Sequence, residues 1–413
     1  MASPTQRPSH NEEGDGAKGI KRPYPLRFRK EELVTRRVLV LGAGNQGQVI
    51  AKALSSQSSV EQVTVVDIDE KKLGLLAGTP KTFGFRADVR GETLRLLLKN
   101  CDLVSGALPS ELGFHAMKEA IDAGVDMVDT SFMQEDPLVL NALARKNEVS
   151  VVPDCGVAPG LSHILVGHHL SVLKAVEGIH IMVGGLPQSP KPPLGYVVTW
   201  SVRDLIEEYM RPARIIRGKT IISVDPLSES NLVDVPGLGK LESFYSDGLR
   251  TLLHTVPDVE SMDERTLRYP GHVDKIRVLK DCGMFNKEPL FIEGCRICPR
   301  DVTAEILSRV LSGENEKDLT ILVVSVSGKE NGRRVTLTGQ LLDHYDERTQ
   351  FSSMARSTAF TNTAVCNLLL TGQLKEKGII PPETLGMNAG YFGKIVDYLQ
   401  VQGICIEEKE YVD

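Results

Sequence analysis

From residue 38 onward, short apolar runs alternate with amphipathic stretches, and the alternation predicts β-strands separated by helices. Val38–Leu41 is wholly apolar, residues 63–66 form a second run, and further runs fall near 82–85, 102–105, 126–129 and 149–152. Runs this short and this continuous suit strands covered on both faces. Between them, 91–99, 111–123 and 136–145 repeat apolar residues at helical spacing. The order predicts an α/β fold, a Rossmann doubly wound parallel sheet over 37–153.

The pattern changes near Pro153. A helix is predicted from about Pro159, followed by longer amphipathic strands around 176–184, 213–224 and 319–346 with helices between. Residues 154–353 therefore read as an α+β substrate domain built on an open, mostly antiparallel sheet with helices on one face. A last helix beginning near Met354 is expected to return to the first domain within 354–413 and close the cleft. Residues 1–36, polar and rich in Pro, Gly and charge, predict a disordered or loosely docked extension.

Composition narrows the classes. A chain of 413 residues is too long for one ordinary core. A net charge of −6 leaves no basic footprint for nucleic acid or an anionic membrane, so neither is an expected partner. There is no apolar run of membrane-spanning length and no secretory pattern, and Glu12, Glu13 and Asp15 argue against a mitochondrial transit peptide. Seven cysteines scattered without a spaced framework suit a reducing compartment, and the expected location is cytoplasmic.

The most specific local signal is Gly42-x-Gly44-x-x-Gly47, which follows the first strand and opens the first helix. Gly42 permits a tight turn, Gly44 lets a pyrophosphate approach the backbone, and Gly47 lets helix and strand pack closely. Asn45 and Gln46 lie between the last two glycines at the helix start, where phosphate is favoured. Asp67 ends the next strand, placed to accept hydrogen bonds from a ribose and to repel a 2′-phosphate, so NAD is expected ahead of NADP. Lys71 and Lys72 are the residues that could meet such a phosphate. Ala107, Leu108, Pro109, Asp129, Thr130 and Ser131, after later strands, are expected to line the nicotinamide half of the site.

Residues 154–160 (Asp-Cys-Gly-Val-Ala-Pro-Gly), 183–187 (Val-Gly-Gly-Leu-Pro) and 266–272 (Thr-Leu-Arg-Tyr-Pro-Gly-His) resemble the saccharopine dehydrogenase family from about residue 37 to the end. Gly271-His272, residues 192–194 (Pro-Pro-Leu), 299–301 (Pro-Arg-Asp) and 354–356 (Met-Ala-Arg), then Thr358-Ala359, resemble its lysine 6-dehydrogenase branch. Residues 193–196 (Pro-Leu-Gly-Tyr) and Trp200-Ser201 are more similar to the saccharopine-forming enzymes. The resemblance implies NAD(P)-dependent oxidation of an amine-bearing carbon in a homo-oligomer. Its leading form is oxidative deamination of L-lysine to 2-aminoadipate 6-semialdehyde, which cyclises to a piperideine carboxylate, with ammonia and NADH. The alternatives are a saccharopine- or opine-type dehydrogenase acting on a secondary amine and, from another class, a catalytically inert NAD-binding sensor.

Amine oxidation requires a base that titrates near working pH. His272 is the first candidate and Asp154, at the turn between domains, the second; each has a structural reading, as a positioning histidine or as a helix-capping aspartate. For an amino-acid substrate, the helix start at Gly160, the planar forks of Arg268 and Arg356, and the hydroxyls of Tyr196 and Tyr269 are candidate binding groups. No metal is expected: Cys295-x-x-Cys298 lacks a second pair, and His163, His168 and His169 lack the spacing of a His-x-x-x-His pair.

Overall fold

The computed structural model describes residues 35–313, 316–330 and 332–412, and the expected N-terminal extension lies almost wholly outside them. Strands β1 (Arg36–Leu41), β2 (Val60–Asp67), β3 (Thr82–Arg86), β4 (Leu103–Gly106), β5 (Asp126–Asp129) and β6 (Ser150–Val152) form the first sheet. All pair in parallel, in the order β6-β5-β4-β1-β2-β3. Val38 to Leu41 are buried because helices cover both faces, which is why this strand shows no polar alternation. The predicted helices are Glu92–Leu98, Ser110–Asp122 and, behind a 3-10 turn, Asn141–Lys146.

The second sheet has nine strands: β7 (Ala175–Pro187), β8 (Ala213–Arg217), β9 (Thr220–Val224), β10 (Asn231–Val235), β11 (Gly239–Tyr245), β12 (Ser261–Arg268), then β15 (Asp318–Glu330), β16 (Arg333–His344) and β18 (Ile406–Val412). An exposed hairpin, β13 (Leu290–Ile292) with β14 (Cys295–Ile297), stands apart from it. The sheet is antiparallel except at β7 and β12, which run parallel side by side at its centre. Two of the long amphipathic stretches predicted from sequence are hairpins, β8–β9 and β15–β16.

The end of the chain joins both sheets. Helix Ser353–Leu370 lies against helix Asn45–Ser55 and touches the floor of the first sheet, where the Ser105 hydroxyl donates to Asn362 Oδ1 at 2.7 Å. Strand β17 (Gly378–Ile379) then adds in parallel beside β6, completing seven strands, and β18 closes the far edge of the second sheet.

Candidate active site

A cleft of about 520 Å³ runs from the glycine turn to the centre of the second sheet. At one end the three glycines do different work. Gly42 has φ +99°, and a Cβ there would lie 2.4 Å from the Ala107 carbonyl oxygen; a Cβ on Gly47 would lie 2.0 Å from the Gly42 oxygen. A Cβ on Gly44 would meet nothing within 4 Å and would project into open cleft. That opening, at the N-terminus of the 11-residue helix Asn45–Ser55, fits the pyrophosphate of a dinucleotide. Asn45, Gln46, Ala107, Leu108, Pro109, Thr130 and Ser131 line the cleft as expected, while Gly47 packs behind the turn.

Asp67 also lines the cleft, but its carboxylate braces the turn. Oδ2 accepts from Ala43 N–H at 2.7 Å and Oδ1 from Asp69 N–H at 2.8 Å. Lys72, Asp88 and Arg90 share this end, with the Arg90 guanidinium committed to Asp88 at 2.6 Å. Asp129 departs from expectation: it is buried behind Ser131, whose N–H and hydroxyl both donate to it at 3.0 Å. Burial lifts its carboxyl to about 7 against those two hydrogen bonds.

At the other end β12 supplies Glu264, Thr266 and Arg268, alternate residues whose side chains share one face and all line the cleft. Helix Val202–Met210 answers with Glu208, which accepts from the Thr266 hydroxyl at 2.5 Å and from Arg268 Nη2 at 2.9 Å. The Arg268 guanidinium donates also to Leu267 O and lies 4.4 Å from the Tyr196 ring centroid. Burial opposes its charge, yet Glu208 and the neighbouring tyrosines hold it above the usual arginine range. Tyr196 accepts from Trp200 Nε1 at 3.0 Å. Two contacts tie the walls of the cleft together: Asn45 Nδ2 donates to Thr199 O at 3.1 Å, and the Ser110 hydroxyl donates to Asp204.

Five residues assigned to substrate or catalysis lie off the cleft. His272 is buried, and both ring nitrogens are used: Nδ1–H donates to Leu194 O at 2.9 Å, so Nε2 accepts from the Tyr209 hydroxyl at 2.9 Å. Burial and the Arg268 charge push the imidazole down to about 3, and with both nitrogens engaged away from the cleft it has no free lone pair to serve as the base. Asp154 is a buried partner of Arg250, whose Nε contacts both carboxylate oxygens at 3.1 and 3.2 Å. Gly160 is required for conformation, with φ +127° and a Cβ site 2.1 Å from Gly156 O, and the following N–H groups of Leu161 and Ser162 are taken by Gly156 O and Val157 O. Tyr269 donates to Pro187 O at 2.8 Å. Arg356 ties helix Ser353–Leu370 to Gln402 O and lies 3.7 Å from Asp343 and Asp346.

The sequence reading did not single out Glu264, Glu208, Asp204, Ser246 or Phe132, and named Thr266, Met354 and Thr358 only as members of motifs with no role of their own, yet all eight line the cleft. No alternation marked Glu264, since Asp263 and Arg265 on either side of it are charged as well. Among the described residues, no cluster of His, Cys, Asp or Glu is placed to hold a metal, and no helix is long and apolar enough to cross a membrane.

Residues 38–152 match the saccharopine dehydrogenase NADP binding domain and residues 156–404 the saccharopine dehydrogenase C-terminal domain. Saccharopine dehydrogenase [NADP(+), L-glutamate-forming] of Schizosaccharomyces pombe is 23% identical over 90% of this chain and 98% of that protein. Mitochondrial alpha-aminoadipic semialdehyde synthase of Mus musculus is 22% identical, and the match covers 91% of this chain but 48% of that protein. The apo saccharopine dehydrogenase (L-Glu forming) of Saccharomyces cerevisiae superposes with a TM-score of 0.74 at 21% identity, covering 91% of this chain and 100% of that one. The names of these relatives give no support to a preference for NAD.

Proposed function

The chain belongs to the saccharopine dehydrogenase family, and on that premise we propose that it is a nicotinamide-nucleotide-dependent dehydrogenase acting on a secondary amine of the saccharopine type. The observation that carries this reading is the continuity of one cleft. A glycine turn shaped for a pyrophosphate stands at one end, and β12 brings a buried carboxyl and a guanidinium to the other. The turn Gly42–Gln46, Ala107–Pro109, Thr130 and Ser131 are the groups that would hold the dinucleotide. Bound there, the nicotinamide supplies the two-electron oxidation of the carbon that bears nitrogen. NADP is proposed as the nucleotide, with Lys72 the basic residue available to a 2′-phosphate and Asp67 opposing it.

One specific observation favours a second reading, an amine with fewer carboxylates such as L-lysine. In the substrate half, Arg268 is the cleft-lining cation among the described residues and is already paired, whereas Asp204, Glu208 and Glu264 are acids. Arg211 is the nearest reserve: its guanidinium lies 4.5 Å from the ring centroid of cleft-lining Phe132, and Nε and Nη1 have no partner.

Purified full-length protein incubated with saccharopine or with L-lysine, each with NADP+ and NAD+, tests both readings by the absorbance of reduced nucleotide. Saccharopine is expected to yield reduced nucleotide and glutamate. Ammonia released from L-lysine alone would select the second reading, and silence with both substrates would overturn the function.

A further inference from the structure

Within the cleft the hydrogen-bonding capacity of most polar groups is spent on one another. Thr266 and Arg268 are held by Glu208, Tyr196 by Trp200, and Asp204 by Ser110. Glu264 differs. It is 3% exposed, its Oε1 accepts from the Ser246 hydroxyl at 3.2 Å, and its Oε2 has no partner. The loop after β11 clamps it, since a Cβ on Gly248 would fall 1.6 Å from Oε1. No ion pair reaches it among the described residues. The acids that bear on it come from three separate elements, Glu208 on the facing helix, Asp247 on the loop and Asp154 at the interdomain turn, and each is itself paired with an arginine, Arg268, Arg214 and Arg250 in turn.

A buried carboxyl with an open oxygen and no cation of its own, among acids already paired with arginines, is an unfavourable arrangement that a cationic ligand relieves. On the dehydrogenase reading above, the ligand that enters this cleft carries an amine. We propose that Glu264 binds the amine nitrogen of the substrate through Oε2 and takes its proton. The N–H bond breaks, an O–H bond forms, and the electron pair stays on nitrogen. That pair is then free to form the C=N bond as the carbon is oxidised by the nicotinamide nucleotide. Thr266 and Arg268 follow the acceptor on the same face of the strand, and Ser246 fixes the carboxyl's orientation.

Burial, opposed by the Ser246 hydrogen bond and reinforced by Glu208, lifts the Glu264 carboxyl to about 8. Below that pH the empty site holds a proton that an arriving ammonium must displace. Affinity should therefore rise about tenfold per pH unit toward about pH 8 and level off above it, until the free amine itself loses its proton.

Calorimetric titration of the full chain with saccharopine and with L-lysine, in the presence of NADPH so that oxidation cannot proceed, reads this directly. Titrations in buffers of different ionisation enthalpy should show release of about one proton per ligand at about pH 6.5 and almost none at about pH 9.5. Glu264→Gln should abolish the release and flatten the pH dependence. Ser246→Ala keeps the carboxyl but removes its donor, so the levelling point should move to higher pH, and this variant reads the group even if Glu264→Gln does not fold. Unchanged proton release in Glu264→Gln, or an unmoved levelling point in Ser246→Ala, overturns the proposal. If the wild type oxidises saccharopine while those results are obtained, the proposed function stands without it; if neither compound binds or reacts, both fall.

Discussion

Replacing Gly44 and Gly47 separately by alanine divides cofactor binding from fold stability. At Gly44 the backbone is φ −66°, ψ −175°, which alanine adopts freely, and its Cβ would meet no protein atom within 4 Å. Restricting the unfolded chain stabilises by about 0.4–1 kcal/mol. Losing glycine at a helix N-cap costs a comparable amount. The net change in stability should therefore stay within about 0.5 kcal/mol. The new methyl would occupy the approach to the helix N-terminus, so cofactor affinity should fall at least ~tenfold, or ~1.4 kcal/mol. At Gly47 the Cβ would sit 2.0 Å from the Gly42 carbonyl oxygen, a backbone contact that no side chain can relieve. Overpacking of this kind costs about 1–3 kcal/mol. Urea unfolding and fluorescence titration with NADPH measure the two quantities on the same preparations. Undiminished NADPH binding by a folded Gly44→Ala protein would refute the assignment of this turn to a pyrophosphate.

Other substitutions test other parts of the structure. Because the His272 imidazole is held down to about 3 against an unfolded value near 6.5, the stability it contributes is complete above pH 6.5. It is lost as pH falls toward 3, at up to ~1.4 kcal/mol per pH unit. His272→Gln should flatten that part of the stability curve in acid-titrated melts while leaving the acidic limb of the rate profile in place. Asp154→Ala leaves the buried Arg250 charge uncompensated and should destabilise by about 3–5 kcal/mol, read by denaturant midpoint, with no new ionisation in the rate profile. Asp67→Asn removes a negative charge from this end of the cleft but also one of the two acceptors that brace the turn, so the ratio of NADP to NAD affinity should rise about tenfold even where both affinities fall. Lys72→Ala should weaken NADP binding and leave NAD binding unchanged in parallel titrations.

The first sheet was legible because its strands are buried on both faces and leave uninterrupted apolar runs, and because glycine turns have steric requirements that only glycine meets. The second sheet was legible as a class but not in its strand order. The central pairing of β7 with β12 joins segments more than seventy residues apart, and no local pattern encodes that register. The cofactor half of the site followed from the turn. The catalytic half misled for a physical reason: His272 and Asp154 carry suitable chemistry in suggestive positions, but burial and fixed partners consume it. Glu264 escaped notice because an acid in a strand reads as a solvated face until the strand is found at the centre of a sheet. What distinguishes it is a buried oxygen without a partner in the wall of the cleft, which only the tertiary structure assembles.

The placing of β17 beside β6 bears on how the chain is made. During synthesis the first five helical and strand crossovers emerge together, yet the outer edge of β6 has no neighbour until residues 378–379 leave the ribosome. At about 5–20 residues per second, that edge stays open for on the order of ten seconds or more. For that interval the nascent nucleotide-binding half presents a short apolar strand edge to whatever is nearby. A chain terminated before β17 would keep that edge for its lifetime, and its fate would be decided by chaperones and proteases before it met any substrate.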